Sequence, residues 1–212
     1  MTEAEWLAAT DPGAMFQWLR DRTPPPTERK WRLLLAGCAR QVWGQIPPGQ
    51  NRETVETAER YADGGAADEE LKKCQTAYYT VTEAMKSSGK IGFQIHALTY
   101  ASTASMRIIH RPHITTYWSG ISPLAGEYLP GLLRCVFGNP HRPVVTDPSW
   151  HTPEVLALAG QIYADRTFDR LSILADALHA VGCDEPDVLA HCSVSGPHVR
   201  GCWVLDQLLG RE

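Results

Sequence analysis

Proline and short polar caps, more than any other feature, limit what this chain can become. Fifteen prolines interrupt it, and proline is tolerated in a helix only in the first turn. Several follow a residue whose side chain can cap a helix. Asp11–Pro12 reads as N-cap and N1 for "GAMFQWLRD", and Thr152–Pro153 does the same for "EVLALAGQIYAD". Thr2, with Glu5 three residues on, has the capping-box pattern ahead of "EAEWLAA". "TPPPT" forbids helix until Thr27, which caps "ERKWRLLLAGCARQVWGQI".

The segments between these signals carry apolar residues at helical spacing. Trp31, Leu34, Leu35, Cys38, Val42 and Ile46 share one face, and Leu71, Cys74, Tyr78, Val81 and Met85 share another. Leu124 to Phe137 reads as helix, with Pro130 as a kink or as part of its first turn. Leu171, Leu174, Leu178 and Val181 form a further stripe, closed by Gly182 at a C′ position. Pro186 to His191 and Pro197 to Leu209 read as two closing helices, whereas "GNPHRPVVTDPSWHTP" reads as an extended loop. No strand stands out. The expected fold is all-α: about ten short-to-medium helices in a multi-helical bundle or an irregular array of helical pairs. One domain is expected over residues 1–212, with Lys86–Gly126 as a divergent insert. The carboxylates of "ETAERYADGGAADEE" read as a solvated helix face.

Composition narrows the function classes. A net charge of -4 and a pI near 6.1 leave no basic stripe, and Arg29–Lys30 and Lys72–Lys73 stand as isolated pairs. Nucleic-acid binding is therefore not expected. No apolar run approaches the roughly 18 residues that span a bilayer, and "MTEAEWLAATDP" has no signal-peptide pattern. A chain of this length buries enough surface to fold without staples. The six cysteines then read as free thiols in a reduced, cytoplasmic protein.

Three groups of residues could carry chemistry. In "AHCSVSGPHVRGCW", His191, Cys192, His198 and Cys202 are ligand types that zinc prefers. The Cys192, His198 and Cys202 spacing is C-x5-H-x3-C, which is not a finger or ribbon spacing. Neighbours such as His191 and Cys192 rarely point at one ion. Packing is the leading reading, with Cys202 in the core and His198 in the first turn of a last helix. No cofactor is expected on that reading, and zinc is the alternative.

The second group is His141, Arg142, Asp147, Trp150 and His151, crowded on a loop that regular structure does not explain. There Arg142 would bind an anion or else pair with an acidic helix. The third is His110 and His113 in "HRPH", with His96 upstream, where a helix end is the simpler reading. No G-x-S-x-G, C-x-x-C or Gly-rich phosphate loop is present.

The wording of "MTEAEWLAATDP", "RLLLAGCARQVW", "AERYADG", "LLRCVFGNPHRPVVTDPSW", "TPEVLALAGQIYADRTFDRLSILADAL" and "HVRGCWVLDQLLG" resembles a family of helical bacterial proteins abundant in planctomycetes such as Gemmata. The resemblance covers about two-thirds of the chain and implies no activity, since that family has no established function. Lys86 to Gly126 departs from it. With seven tryptophans as candidate interface anchors and no assembled catalytic set, the leading expectation is a non-enzymatic helical interaction or adaptor module with a protein partner. The alternatives are a zinc-supported protein using the His and Cys residues of the C-terminal third, or a small-molecule binder lined by His96, Tyr100 and His110.

Overall fold

The computed structural model describes residues 1–46, 48–74, 76–77 and 128–211. Every regular element in it is helical: α1 (Glu3–Ala8), α2 (Pro12–Arg20), α3 (Glu28–Gln41), α4 (Gln50–Ala62), α5 (Leu129–Phe137), α6 (Pro153–Asp165), α7 (Leu171–Ala180), α8 (Pro186–Ser193) and α9 (Trp203–Leu208). A further helical stretch covers 68–74, and three short 3-10 turns punctuate the loops. The fold is all-α. No helix among the described residues is long and apolar enough to cross a membrane.

The caps act as their chemistry dictates. The Thr2 hydroxyl accepts from the Glu5 amide while the Glu5 carboxylate accepts from the Thr2 amide. Asp11, Thr27 and Thr152 each accept a backbone N–H in the first turn of α2, α3 and α6. Pro130 sits in the first turn of α5, so it bends nothing. Gly182 follows α7 with φ +90.

Helix α3 is the axis of the molecule. Its buried residues run without a break from Trp31 to Ala39, so the single apolar face expected from spacing understates its burial. It packs on α4 and α5, while α5 also takes α2, and α6, α7, α8 and α9 close the other side. Burial of nine consecutive residues, Arg32 among them, places this helix inside the core. The N-terminus is fastened to α5 as well: Trp6 Nε1 donates to the Gly138 carbonyl at 3.0 Å, and Arg134 donates to the Trp6 and Ala9 carbonyls.

Two buried ionic clusters cross the core. Asp206 on α9, 1% exposed, takes the Arg29 guanidinium at 2.7 Å and the Lys30 ammonium at 2.6 Å. Arg29 also reaches Asp63 at 2.9 Å and the Tyr163 hydroxyl at 2.9 Å, tying α3 to α4, α6 and α9. Burial alone would loosen the Arg29 proton, but the Asp206 carboxylate outweighs it and holds the guanidinium firmly charged. The second cluster centres on Glu59, 2% exposed and paired with Arg40 at 2.7 Å and with Arg166. The expected solvated face is thus corrected at Glu59 and Asp63. Each turns inward because α3 and α6 bring it a cation.

Burial pushes the Glu59 carboxyl up, but hydrogen bonds and charge from Arg40 and Arg166 outweigh it and leave it below its usual range. A carboxylate with a depressed folded pKa contributes stability above its unfolded value of about 4.3 and loses it as pH falls through the folded value. Glu59→Gln should therefore cost about 2–3 kcal/mol at neutral pH, less than a fully sealed pair because both arginines reach solvent. In urea titrations the gap between wild type and variant should close below about pH 4. A constant gap down to pH 3 would show that the ion cluster is not its source.

Candidate metal centre

The C-terminal segment after α8 does not form the helix expected from Pro197. It runs without regular structure from Ser195 to Val199, turns at Arg200–Gly201, and enters α9 only at Trp203. Three contacts explain why. Pro197 lies against Gly131 of α5, where an added Cβ would sit 2.9 Å from its Cγ. Val199 fills the space over Gly37 of α3. Gly201 has φ +87 and faces Leu33, with room for no side chain. His198 and Cys202 are consequently not i and i+4 on a helix face.

This path brings four soft ligands together. Cys135 comes from α5, His191 from the last turn of α8, His198 from the irregular segment, and Cys202 from the N-cap of α9. Their ligand atoms all lie within 4.8 Å of one another. Cys135 Sγ is 3.6 Å from His198 Nδ1, and His191 Nε2 is 3.2 Å from Cys202 Sγ. Around a tetrahedral ion with the usual Zn–S and Zn–N lengths, a sulfur and a nitrogen stand about 3.5 Å apart and two sulfurs about 3.8 Å. The two contacts bracket the first value, and no pair in the group is wider than 4.8 Å. The imidazoles meet edge-on, at 89° with centroids 4.9 Å apart.

The surroundings orient the ligands. His198 Nε2 lies 3.2 Å from the Val194 carbonyl, an acceptor, so Nε2 donates there and Nδ1 faces the cluster, a hydrogen-bond donor to sulfur while protonated and a ligand atom once that proton is lost. Lys30 Nζ donates to the Val136 carbonyl at 3.2 Å and to the Gly201 carbonyl at 3.0 Å. One ammonium thus joins the residues next to both cysteines. Cys135 and Cys202 are 2% and 0% exposed. Burial alone would raise the Cys202 thiol. The Cys135 S–H, the charge of His191 and hydrogen bonds from both imidazoles outweigh it and hold that thiol well below its usual range. Cys135 is pushed up, first by burial and then by the neighbouring Cys202 sulfur. Burial would lower His198, yet its contacts to Cys202 raise it. Sulfurs and imidazoles that share protons this way, with both sulfurs buried, are suited to hold a metal ion.

Of the candidate ligands Cys192, His198 and Cys202, the cluster contains His198 and Cys202 but not Cys192, and it adds His191 and Cys135. Cys192 is one residue beyond His191 on α8, about 100° around the helix axis, and it is buried outside the cluster. Burial raises its thiol. Cys135 went unrecognised because a cysteine between Leu132, Leu133 and Val136 reads as an ordinary core residue. All six cysteines are free thiols.

The loop residues proposed as a site do not converge. Arg142 pairs bidentately with Asp187 at the start of α8, 2.6 and 2.9 Å, and Asp147 accepts from the Ser149 amide at 2.8 Å. His141 stacks on Trp18 at 4.6 Å. Trp150 is buried in the core, and His151 Nε2 meets the Thr146 hydroxyl at 3.1 Å. Each has a packing or turn-forming partner. His96, Tyr100, His110, His113 and the segment Lys86–Gly126 lie outside the described residues.

No protein-family model, curated protein or solved structure matches the chain.

Gly201 is the position on which the cluster's geometry turns, since it needs a positive φ and a bare Cα beside Leu33. Gly201→Ala should destabilise the fold by about 1–3 kcal/mol through strain and the Leu33 clash. Denaturant unfolding measures it. A change below about 0.5 kcal/mol, the range of a neutral surface substitution, would show that the turn adapts freely.

Proposed function

We propose that Cys135, His191, His198 and Cys202 hold one structural zinc ion that locks α8, α9 and the segment between them onto α5. The observation that carries this reading is the convergence of four soft ligands from four separate places in the fold, within 4.8 Å. Thiolate and imidazole favour zinc over the hard cations, which want oxygen, and a d10 ion accepts a tetrahedron without penalty. Two thiolates balance the two positive charges, so the complex is neutral and its burial costs far less than that of an isolated ion. Four protein ligands leave no open position for water, which makes the centre structural and not hydrolytic.

The alternative of an interaction module draws no support from exposed anchors. Among the described tryptophans, Trp6, Trp31 and Trp150 are buried, and Trp18, Trp43 and Trp203 pack partly buried against the core. A reduced, intracellular location for six free thiols fits the zinc reading.

Protein purified without added metal should contain one zinc per chain by elemental analysis. Zinc at a hundredfold excess over its Kd adds about 2.7 kcal/mol, so chelation should lower Tm by roughly 6–10 °C for a chain of this size. Cys135→Ser and Cys202→Ser should lose the metal and the chelator response, whereas Cys192→Ser should keep both. Retention of zinc by Cys135→Ser, or its loss in Cys192→Ser, would refute the ligand set.

A further inference from the structure

A second feature is independent of the metal. A cavity of about 340 Å³ opens between the proline-rich segment before α3, the loop after α5, and α9. That volume lies in the range of small-molecule sites. Its apolar walls come from Pro24, Pro26, Pro143, Phe137 and Trp203. Prolines have a fixed φ and little side-chain freedom to lose. A ligand meeting them pays little for ordering the wall.

The charges around the cavity do not cancel. Arg22, Lys30, Arg142 and Arg211 face it, against Asp187 and Asp206. Both carboxylates are already engaged: Asp206 with Arg29 and Lys30, Asp187 bidentately with Arg142. Arg22 lies over the Trp18 ring at 4.9 Å and has no carboxylate partner among the described residues. Arg211, 40% exposed, lies over the Tyr163 ring at 4.6 Å, and its one carboxylate contact is at 3.6 Å to Asp63, which Arg29 and Tyr163 already satisfy. Two guanidiniums thus remain with unused donors beside apolar walls. Guanidinium presents its N–H groups as a planar fork matched to carboxylate and phosphate oxygens.

We propose that this cavity binds a small organic anion, with its carboxylate or phosphate head on Arg22 and Arg211 and its apolar body against the prolines and Trp203. Lys30, fastened to Asp206 and two carbonyls, forms part of the wall and is not the anion's partner.

The test uses the full chain with its zinc content measured in every sample, so that failure of the metal centre and failure of this site are separately visible. 3-Phenylpropionate, 2-phenylethyl phosphate and the neutral 3-phenylpropanamide are titrated by ligand-observed NMR. At least one anion should bind with a Kd of about 1 mM or tighter, and the amide at least tenfold more weakly. The tighter of the two anions identifies the head group. Combined Arg22→Gln and Arg211→Gln should weaken the anion at least tenfold without changing the Tm of the unliganded protein, and 0.5 M salt should weaken it in the wild type. Absence of binding by both anions at 10 mM, equal binding of the amide, or an unchanged Kd in the double variant would each overturn the proposal.

Discussion

One carboxylate ties α9 to the start of the central helix α3. Asp206 is buried on α9, and it faces two consecutive cations at the start of α3. Removing it would leave Lys30 without its carboxylate and Arg29 with Asp63 alone, and a buried charge that loses its partner costs several kcal/mol. The pair also reaches outward. Through Arg29 it ties in Asp63 and Tyr163, and through Lys30 it ties in the backbone on each side of the two cysteines. The central helix, the ionic cluster and the candidate metal centre are therefore one connected construction.

That connection gives the centre its precision. A metal site works when its ligands are held by rigid neighbours, not merely present. Here Cys135 is fixed by α5, and Cys202 by the Gly201 turn pressed on Leu33. His198 is fixed by its bond to Val194. Lys30 is a positioning residue in this scheme, since it touches carbonyls and not ligand atoms.

Much of the fold could be read directly from local chemistry. Thr2, Asp11, Thr27 and Thr152 cap helices as expected because a cap is decided within four residues. The all-α class followed from the same punctuation. What failed was anything decided by distant partners. Glu59 and Asp63 looked solvated because their cations, Arg166 and Arg29, lie on other helices. His198 and Cys202 looked like one helix face because nothing nearby announces that contacts with Gly131, Gly37 and Leu33 will keep that segment out of a helix. Cys135 had no spacing signal toward the rest of its cluster. Three of the four ligands stood in one short stretch of sequence, and the fourth required the fold.

The sequence separation between Arg29 and Asp206 also bears on how the chain folds. The carboxylate that neutralises Arg29 lies 177 positions further along the chain, and Cys202 stands four residues before it. A pairing so distant carries a loop-closure cost that a helix cap, decided within four residues, does not. The ionic cluster and the four soft ligands therefore share one long-range closure, and a change that loosens α9 acts on both.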